Sequence, residues 1–336
     1  MRTELAFSAN DLAQTRFAVS PMWEVVTGLR ALATSPVPAL HRRWAEQVRP
    51  RLSAAGLDRG RLAAMVPPTG HLPDFLNPAP TGPSPALADE LAAITATTDE
   101  QVRTDLDYLA AEHDGRLPAR LWPLYREPAA QLPKVAAEIE AYWQTALAPY
   151  WARIRAVLEA DVFHRARQAA EQGTARVLDD LHETVRWDGQ ALRLAERHCA
   201  VQRIEAGAGL LLVPSAFAWP RVLTRSLPPD PPQLAYPARG IATLWEPRTG
   251  SDSDALAAVL GRSRALLLTE LDSPASTTEL ARRSGMSAAG VSQHLTALRA
   301  AGLTSAHRAG RAVLYARTAV ADALLAPSDG PGHPAG

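Results

Sequence analysis

The sequence predicts a mainly α fold with α+β elements, arranged as two domains. With 336 residues, the chain is long enough for two domains at roughly 100–200 residues each. Apolar residues recur at helical spacing up to about residue 172, apart from proline-rich breaks, and short apolar stretches typical of strands follow. Residues 255–326 then return to short helices that end in a two-residue apolar period. We therefore expect a helical N-terminal domain with a small β region, followed by a compact helical module that carries a β-hairpin.

The composition excludes several classes of protein. Hydrophobic residues make up 47% of the chain and charged residues 21%, which excludes wholesale disorder. The 35 basic and 35 acidic residues give zero net charge, which excludes a uniformly basic coat for nucleic acid and permits a local basic patch. A single cysteine, Cys199, excludes an internal disulfide framework and a multi-cysteine zinc site. Because no apolar run approaches the roughly 20 residues of a membrane span and no secretory signal is visible, we expect a cytoplasmic protein without membrane contact.

Residues 1–248 are expected to form the N-terminal domain, and residues 1–65 have a helical pattern. Ser20 and Pro21 mark a helix start, with serine as the N-cap and proline at the first helical position. Seven prolines within 66–86 predict a loop, and Pro149 is expected to kink or split a long helix. The segments predicted to be helical are the apolar stripe after Pro21, about 38–55, one or two helices within 86–113, and Pro133 to about 172.

The pattern changes to strands near residue 184. Asp188-Gly189 between two apolar stretches predicts a β-hairpin. The stretches predicted as strands are Val185–Trp187, Gln190–Leu194, Leu210–Val213, Gln233–Tyr236 and Ile241–Trp245. Residues 249–253 are polar and predict a linker, and residues 327–336 predict a disordered tail.

Residues 254–326 are expected to form a helix-turn-helix module. Ser276 with Glu279 three residues later makes a capping box for a helix at 277–284. Gly285 suits the left-handed position at a sharp helix end. Ser287 is the expected N-cap of a second helix at 288–301. Two short helices joined by a tight glycine-containing turn are the helix-turn-helix arrangement.

The second helix is predicted to present a slim polar face. Val291, Leu295 and Leu298 form its buried stripe, which leaves small, hydroxyl and amide side chains on the other side. Small residues permit close approach to the major groove of DNA, and Gln or Ser can bond base edges. The candidate DNA-binding residues are Ser287, Ala288, Ala289, Ser292, Gln293, Thr296, Arg299, Arg308 and Arg311.

A hairpin after Gly302 completes the module. Residues 303–307 and 312–316 alternate like strands, and Arg308 and Arg311 flank the turn between them. Arginines at such a wing tip suit phosphate or minor-groove contacts. Residues 273–317 hold six arginines and one acidic residue, a formal charge of +5 in a neutral chain. Local clustering of arginine indicates phosphate binding.

These motifs resemble the winged helix-turn-helix of ArsR-type bacterial regulators. The resemblance rests on Thr278–Ala281, Gly285-Met286-Ser287, Val291–Leu295, Leu298–Leu303 and Gly310-Arg311 with Tyr315. It implies a homodimer that binds an inverted-repeat operator in double-stranded DNA, usually as a repressor. FAVSPMWEVV, LLLVPSAFAWP and YPARGIATLW further resemble actinobacterial regulators of this type with a large uncharacterised N-terminal domain.

Differences from the metal-sensing members of the family, and the absence of enzyme motifs, determine which alternative functions remain open. The helices that carry ligands in metal-sensing members read ALLLTELDSP and TAVADALL here, so we expect no metal and no cofactor. Neither a G-x-S-x-G elbow, a dinucleotide fingerprint nor a P-loop occurs, so we expect a regulator and not an enzyme. The N-terminal domain is then a candidate for dimerisation and for sensing a small-molecule effector. The alternatives are a winged-helix adaptor that binds protein, and an enzyme with an appended DNA-binding domain.

Overall fold

The protein divides into two compact units. We describe it from a computed structural model that covers residues 3–6, 9–189, 191–194, 209–225, 230–245, 253–309 and 312–325. The first unit comprises Met1–Trp143 and Val157–Leu244, and the second comprises Gln144–Ala156 and Trp245–Gly336. The predicted tail at 327–336, and all of the predicted linker except Ser253, lie outside the described residues.

The first unit is mostly helical, which confirms the predicted fold class. The proline-rich stretch at 66–86 contains a single 3-10 turn, Asp74–Leu76, and is otherwise a loop as predicted. The helices from the N-terminus to residue 179 are α1 (Ala9–Ala13), α2 (Pro21–Ala33), α3 (Arg42–Ala54), α4 (Arg61–Met65), α5 (Leu87–Thr95), α6 (Asp99–Ala111), α7 (Trp122–Arg126), α8 (Pro128–Tyr142), α9 (Trp151–Gln172) and α10 (Thr174–Asp179).

Helix α2 starts as its sequence predicts but is buried far more completely. The Ser20 hydroxyl accepts a hydrogen bond from the Trp23 backbone N–H at 3.1 Å, and Pro21 occupies the first helical position. The apolar pattern predicts one buried stripe, whereas every residue from Pro21 to Leu29 is buried, including Glu24 and Thr27. A helix that is enclosed on all sides belongs to the middle of a core.

A mixed four-stranded sheet packs beside these helices in the order β2-β5-β7-β6. Strands β2, β5 and β7 are parallel, and β6 pairs antiparallel with β7 at the edge. A smaller antiparallel sheet in the order β1-β4-β3 contains the predicted hairpin. The strands are β1 (Thr3–Ala6), β2 (Arg16–Phe17), β3 (Val185–Trp187), β4 (Ala191–Leu194), β5 (Leu211–Ser215), β6 (Leu223–Arg225) and β7 (Gln233–Pro237).

Two local predictions in this unit are wrong. Strands β1 and β2 interrupt the helical pattern expected for residues 1–65, because they pair with strands that are distant in sequence. In β2, for example, the Arg16 N–H donates to the Leu210 carbonyl at 2.9 Å. Residues 241–245 do not form a strand. Gly240 takes a left-handed φ of 80°, and its carbonyl accepts the Thr243 N–H, which winds Ile241–Thr243 into a 3-10 turn.

The long helical pattern ending near residue 172 is divided in two, as Pro149 predicts. Helix α8 ends at Tyr142, and the backbone passes through a π-helical turn, Trp143–Leu147, and a 3-10 turn, Ala148–Tyr150, before α9 begins. Proline has no N–H for the helical ladder, so the regular α-helix stops here. We call residues 144–156 the corner segment, because this part of the chain is grouped with the second unit.

The second unit contains a winged helix. Its sheet has the order β8-β10-β9, and its apolar core includes Leu267, Leu280, Leu295 and Leu298. The elements are α11 (Ser253–Leu260), α12 (Arg262–Glu270), β8 (Ala275–Ser276), α13 (Thr277–Ser284), α14 (Ala288–Ala300), β9 (Thr304–Ala309), β10 (Ala312–Arg317) and α15 (Ala319–Leu324).

Candidate nucleic-acid interface

Helices α13 and α14 form the predicted helix-turn-helix. The Ser276 hydroxyl accepts the Glu279 N–H at 3.3 Å, and the Glu279 carboxylate accepts the Ser276 N–H at 3.4 Å, which closes the capping box. Gly285 ends α13 with a φ of 71°, a left-handed conformation that glycine adopts without a Cβ clash. Ser287 caps α14 by accepting the Gly290 N–H at 3.1 Å. The turn geometry therefore follows from local residues alone.

Packing fixes which face of α14 is presented to solvent. Val291, Leu295 and Leu298 are buried in the core of the unit, as their spacing predicts. Met286 is half-buried against the same core. The face opposite the buried stripe is exposed and holds Ser287, Ala288, Ala289, Ser292, Gln293 and Thr296.

The polar side chains on this exposed face differ in whether they already make hydrogen bonds within the protein. The Ser287 hydroxyl already serves as the helix cap, and the Thr296 hydroxyl donates to the Ser292 carbonyl at 2.9 Å. Gln293 is exposed and makes no hydrogen bond or ion pair with the described residues. Because its amide can both donate and accept, Gln293 is the side chain on this face best equipped to bond a base edge.

The arginines of the module fall into two groups, which corrects the formal charge count. Arg317 is buried and pairs with Asp322, with 3.1 Å between Nε and Oδ1, and Arg283 pairs with Glu279 at 3.0 Å. Arg282, Arg299 and Arg308 are exposed. The +5 obtained from the sequence already includes Glu279, so the pair that lowers it is Arg317 with Asp322, which lies outside residues 273–317.

The wing is the β9-β10 hairpin. Its strands pair antiparallel from Thr304 opposite Arg317 to residue 309 opposite 312, and β8 adds the third strand through Ala275 and Ser276. Arg308 lies near the end of β9, next to the turn. Arg311, the second arginine predicted at the tip, lies outside the described residues.

The corner segment completes the winged helix, which sequence reasoning missed. The turn Ala148–Tyr150 lies alongside both wing strands, with Cα atoms within 8 Å. The Tyr150 ring meets Trp245 edge-on, with centroids 5.5 Å apart, and Arg153 Nη1 donates to the Asp272 carbonyl at 3.3 Å. Pro149 signalled the bend in the chain, but no local pattern indicated its partner.

The remaining chemical candidates are the Asp161–His164 pair and Cys199. No group of three or more His, Cys, Asp or Glu side chains that could hold a metal occurs among the described residues. Asp161, three residues from His164, is buried and accepts hydrogen bonds from the Tyr236 hydroxyl at 2.7 Å and the Arg239 N–H at 3.0 Å. Cys199 lies outside the described residues. The helices of the described residues include none with the length and hydropathy of a membrane span.

Two family models match separate parts of the chain. Residues 262–305 match the model of the bacterial regulatory protein family arsR, a span that begins with α12 and reaches into β9. Residues 106–242 match a family of unknown function, DUF5937, and this span includes the corner segment. Comparisons with curated proteins and with solved structures found no match. The N-terminal match carries no function, so the activity of the chain must be argued from its C-terminal module.

Proposed function

We propose that this chain is a DNA-binding transcription regulator, and that it is a repressor that binds an inverted-repeat operator as a homodimer in the cytoplasm. The match of residues 262–305 to the arsR family model supports the DNA-binding role. The observation that carries the DNA-reading part is the exposed face of α14, on which small side chains surround Gln293. We propose a regulatory and not a catalytic role for the N-terminal domain, with a small-molecule effector as its ligand.

Readout of the operator is divided between bases and phosphates. Helix α14 enters the major groove with Ala288, Ala289 and Ser292 in close approach, and Gln293 bonds a base edge. Arg299 at the last turn of α14 and Arg308 beside the wing turn contact phosphates, together with Arg311. Phosphate contacts set position, and the base contact sets sequence preference.

Exposed apolar side chains on α11, α12 and α15 of the second unit support a dimer. Val259 of α11 is 81% exposed and Val320 of α15 is 59% exposed, and Leu266 of α12 and Leu324 of α15 are exposed as well. A second copy of the chain would cover such residues through a self-complementary two-fold interface. The α14 helices of the two copies would then reach half-sites that lie about one turn of DNA apart, roughly 34 Å.

The dimer is tested by Leu324→Glu, followed by analytical ultracentrifugation. A charge in a self-complementary apolar interface must be buried, so we expect the variant to sediment as a monomer. Val313→Glu is the matched control, because Val313 is an exposed apolar residue of the wing and not of α11, α12 or α15. An unchanged Leu324→Glu dimer would refute this interface.

DNA binding is tested by titrating the purified chain against the DNA upstream of its own coding region at two salt concentrations. Each phosphate contact contributes a slope of about −0.9 in log affinity against log salt. Arg299→Ala should lower this slope, whereas Arg167→Ala, which removes one exposed charge from α9, should leave it unchanged. A protein-binding adaptor would show no such slope.

Sequence preference is tested by Gln293→Ala and Arg311→Ala. We expect Gln293→Ala to cost about 1–3 kcal/mol on the preferred site and little elsewhere, because a bidentate amide–base pair discriminates by that amount. Arg311→Ala should weaken binding to all sequences similarly. If Arg311→Ala altered only sequence preference, the phosphate role of this residue would be wrong.

A further inference from the structure

Helix α9 has one side buried in the first unit and the other side exposed. From residue 157 onward the helix belongs to that unit. Leu158, Asp161 and Arg165 recur at intervals of three and four residues and are buried. Asp161 accepts a hydrogen bond from the Tyr236 hydroxyl at 2.7 Å, and Arg165 Nη2 donates to the Asp180 carbonyl at 3.0 Å. These contacts fix the rotation of the helix about its own axis, and with it the side that is left exposed.

The exposed side of α9 centres on Phe163. This residue is 73% exposed, the largest value for any aromatic residue in the described part of the chain. Glu159 and Arg167 lie four residues before and after it, and both are exposed. Ala160 and Ala166 lie three residues before and after it, and they are exposed as well. We call these five residues the α9 face, because at about 100° per residue they all lie within about 60° of Phe163 around the helix axis.

The α9 face is symmetric about Phe163 in size and antisymmetric in charge. Alanine stands three residues away on each side, and four residues away Glu159 on one side corresponds to Arg167 on the other. When two copies of the helix pack antiparallel about a two-fold axis at Phe163, Glu159 of each copy lies level with Arg167 of the other. A single exposed aromatic residue needs no explanation, but a face that complements itself in this way fits a second copy of the chain.

We propose that the α9 face binds the α9 face of a second copy, as an antiparallel helix pair with Phe163 at the two-fold axis. Small side chains beside Phe163 let the two helix axes approach to roughly 8–10 Å. The two Phe163 rings then pack against each other and leave water. Two identical ion pairs between Glu159 and Arg167, one on each side of the axis, set the antiparallel direction and the register.

Arg167 can join this contact without giving up the pairing it has within its own chain. Its Nε lies 2.7 Å from Oε1 of Glu171, and the two side chains are 71% and 53% exposed. Ion pairs that are this exposed contribute little to stability. The guanidinium group has five N–H donors, so it can bond Glu171 and a carboxylate of the second copy together.

The contact is expected to be weak in dilute solution and effective on DNA, a step that rests on the proposed function. The α9 face is distinct from the apolar surface of α11, α12 and α15 that we propose for the homodimer. A single helix face buries less area than a standard interface, so we expect a dissociation constant on the order of 100 µM. Two dimers on neighbouring operators have an effective concentration of roughly 1 mM, so the contact joins them and makes binding cooperative. Because this face is not offered to DNA, its variants should bind one isolated operator like the natural chain.

Sedimentation equilibrium of the Leu324→Glu chain measures the α9 contact by itself. This variant should be monomeric at about 1 µM, as in the dimer test above, and largely dimeric at about 300 µM. Adding Phe163→Glu should keep it monomeric at both concentrations, because two like charges would meet at the axis. Tyr108→Glu is the matched control, since Tyr108 is an exposed aromatic residue of α6, and it should leave the association unchanged.

Charge reversal in the same Leu324→Glu chain tests the antiparallel register. Glu159→Arg and Arg167→Glu each place like charges opposite each other twice, so each should weaken self-association by roughly 10-fold or more. Mixed in equal amounts, the two single variants should associate with each other, because every reversed charge then meets an opposite one. The double variant should also regain self-association. A role of these residues only within their own helix predicts no rescue on mixing.

The outcomes separate the α9 contact from the proposed function. Association that survives Phe163→Glu, or single variants that do not associate when mixed, would overturn the contact. A chain that binds no DNA, but whose mixed variants associate, would refute the regulator and leave the contact. A chain that binds operator DNA, but shows no association at high concentration, would refute the contact and leave the regulator.

Discussion

Replacing Glu24 by glutamine should stabilise the first unit at neutral pH and not at acidic pH. Glu24 is fully buried, and among the described residues its carboxyl group is hydrogen-bonded by uncharged donors, the Ser215 hydroxyl and the Ala216 N–H. Glutamine retains an oxygen that can accept the Ala216 N–H. The substitution therefore removes a titratable group while leaving the shape of the core unchanged.

The magnitude follows from linkage between protonation and folding. The carboxyl has a pKa of 4.5 when unfolded, and burial raises the pKa to about 8 in the fold. Because the folded pKa is the higher one, its contribution to stability is complete below pH 4.5 and is lost as the pH rises toward 8. At about 1.4 kcal/mol per pKa unit, the loss is about 1 kcal/mol at pH 5 and about 3 kcal/mol at pH 7.

Urea unfolding followed by tryptophan fluorescence measures this difference. Six of the eight tryptophans, including Trp23 and Trp44, belong to the first unit, so the signal reports mainly on its unfolding. The free energy of unfolding of Glu24→Gln, relative to the natural chain, should rise between pH 5 and pH 8. Glu171→Gln, at an exposed position of α9, should stay within about 0.5 kcal/mol throughout. A difference for Glu24→Gln that does not change with pH would refute the reasoning.

Three further substitutions test the second unit. Asp322→Ala leaves buried Arg317 without its carboxylate and should cost about 3–5 kcal/mol, seen as faster hydrogen exchange in β10. Ser287→Ala removes the cap of α14 and should cost about 1 kcal/mol, detected as faster exchange confined to the first turn of that helix. Tyr150→Ala should weaken operator binding in fluorescence anisotropy without changing its salt slope, because Tyr150 contacts Trp245 and the wing and not phosphate; a changed slope would contradict this role.

The helix-turn-helix could be predicted from the sequence because its determinants are local. The capping box at Ser276, the left-handed Gly285 and the cap at Ser287 each act within four residues of their own position. The buried stripe of α14 follows from helical periodicity alone. Helix bounds at 277–284 were therefore predicted without error, and those of α14 to within one residue.

The N-terminal unit was harder to predict because its determinants are distant in sequence. The two-residue strand β2 forms because it pairs with Leu211 and Leu212, which are far from it in the sequence. In the sequence, Glu24 resembles an ordinary exposed polar residue of an amphipathic helix. In the fold it is fully buried and accepts the Ala216 N–H, just after β5. No local pattern reveals a non-local partner, so the burial of Glu24 is visible only in the fold.

Charge counting shows the same limit inside the module that was otherwise well predicted. Arg317 counts as positive in the sequence, but Asp322, which lies outside the counted residues 273–317, pairs with it in the fold. Arg283 pairs with Glu279, whose negative charge the count already includes. An arginine that is buried against a carboxylate stabilises the module and contributes little field at its surface. The attraction for a duplex must therefore come from the few arginines beside α14 and the wing turn, where Arg299 and Arg308 are exposed. Electrostatic steering by this chain is a local property of that surface, which is consistent with its zero net charge.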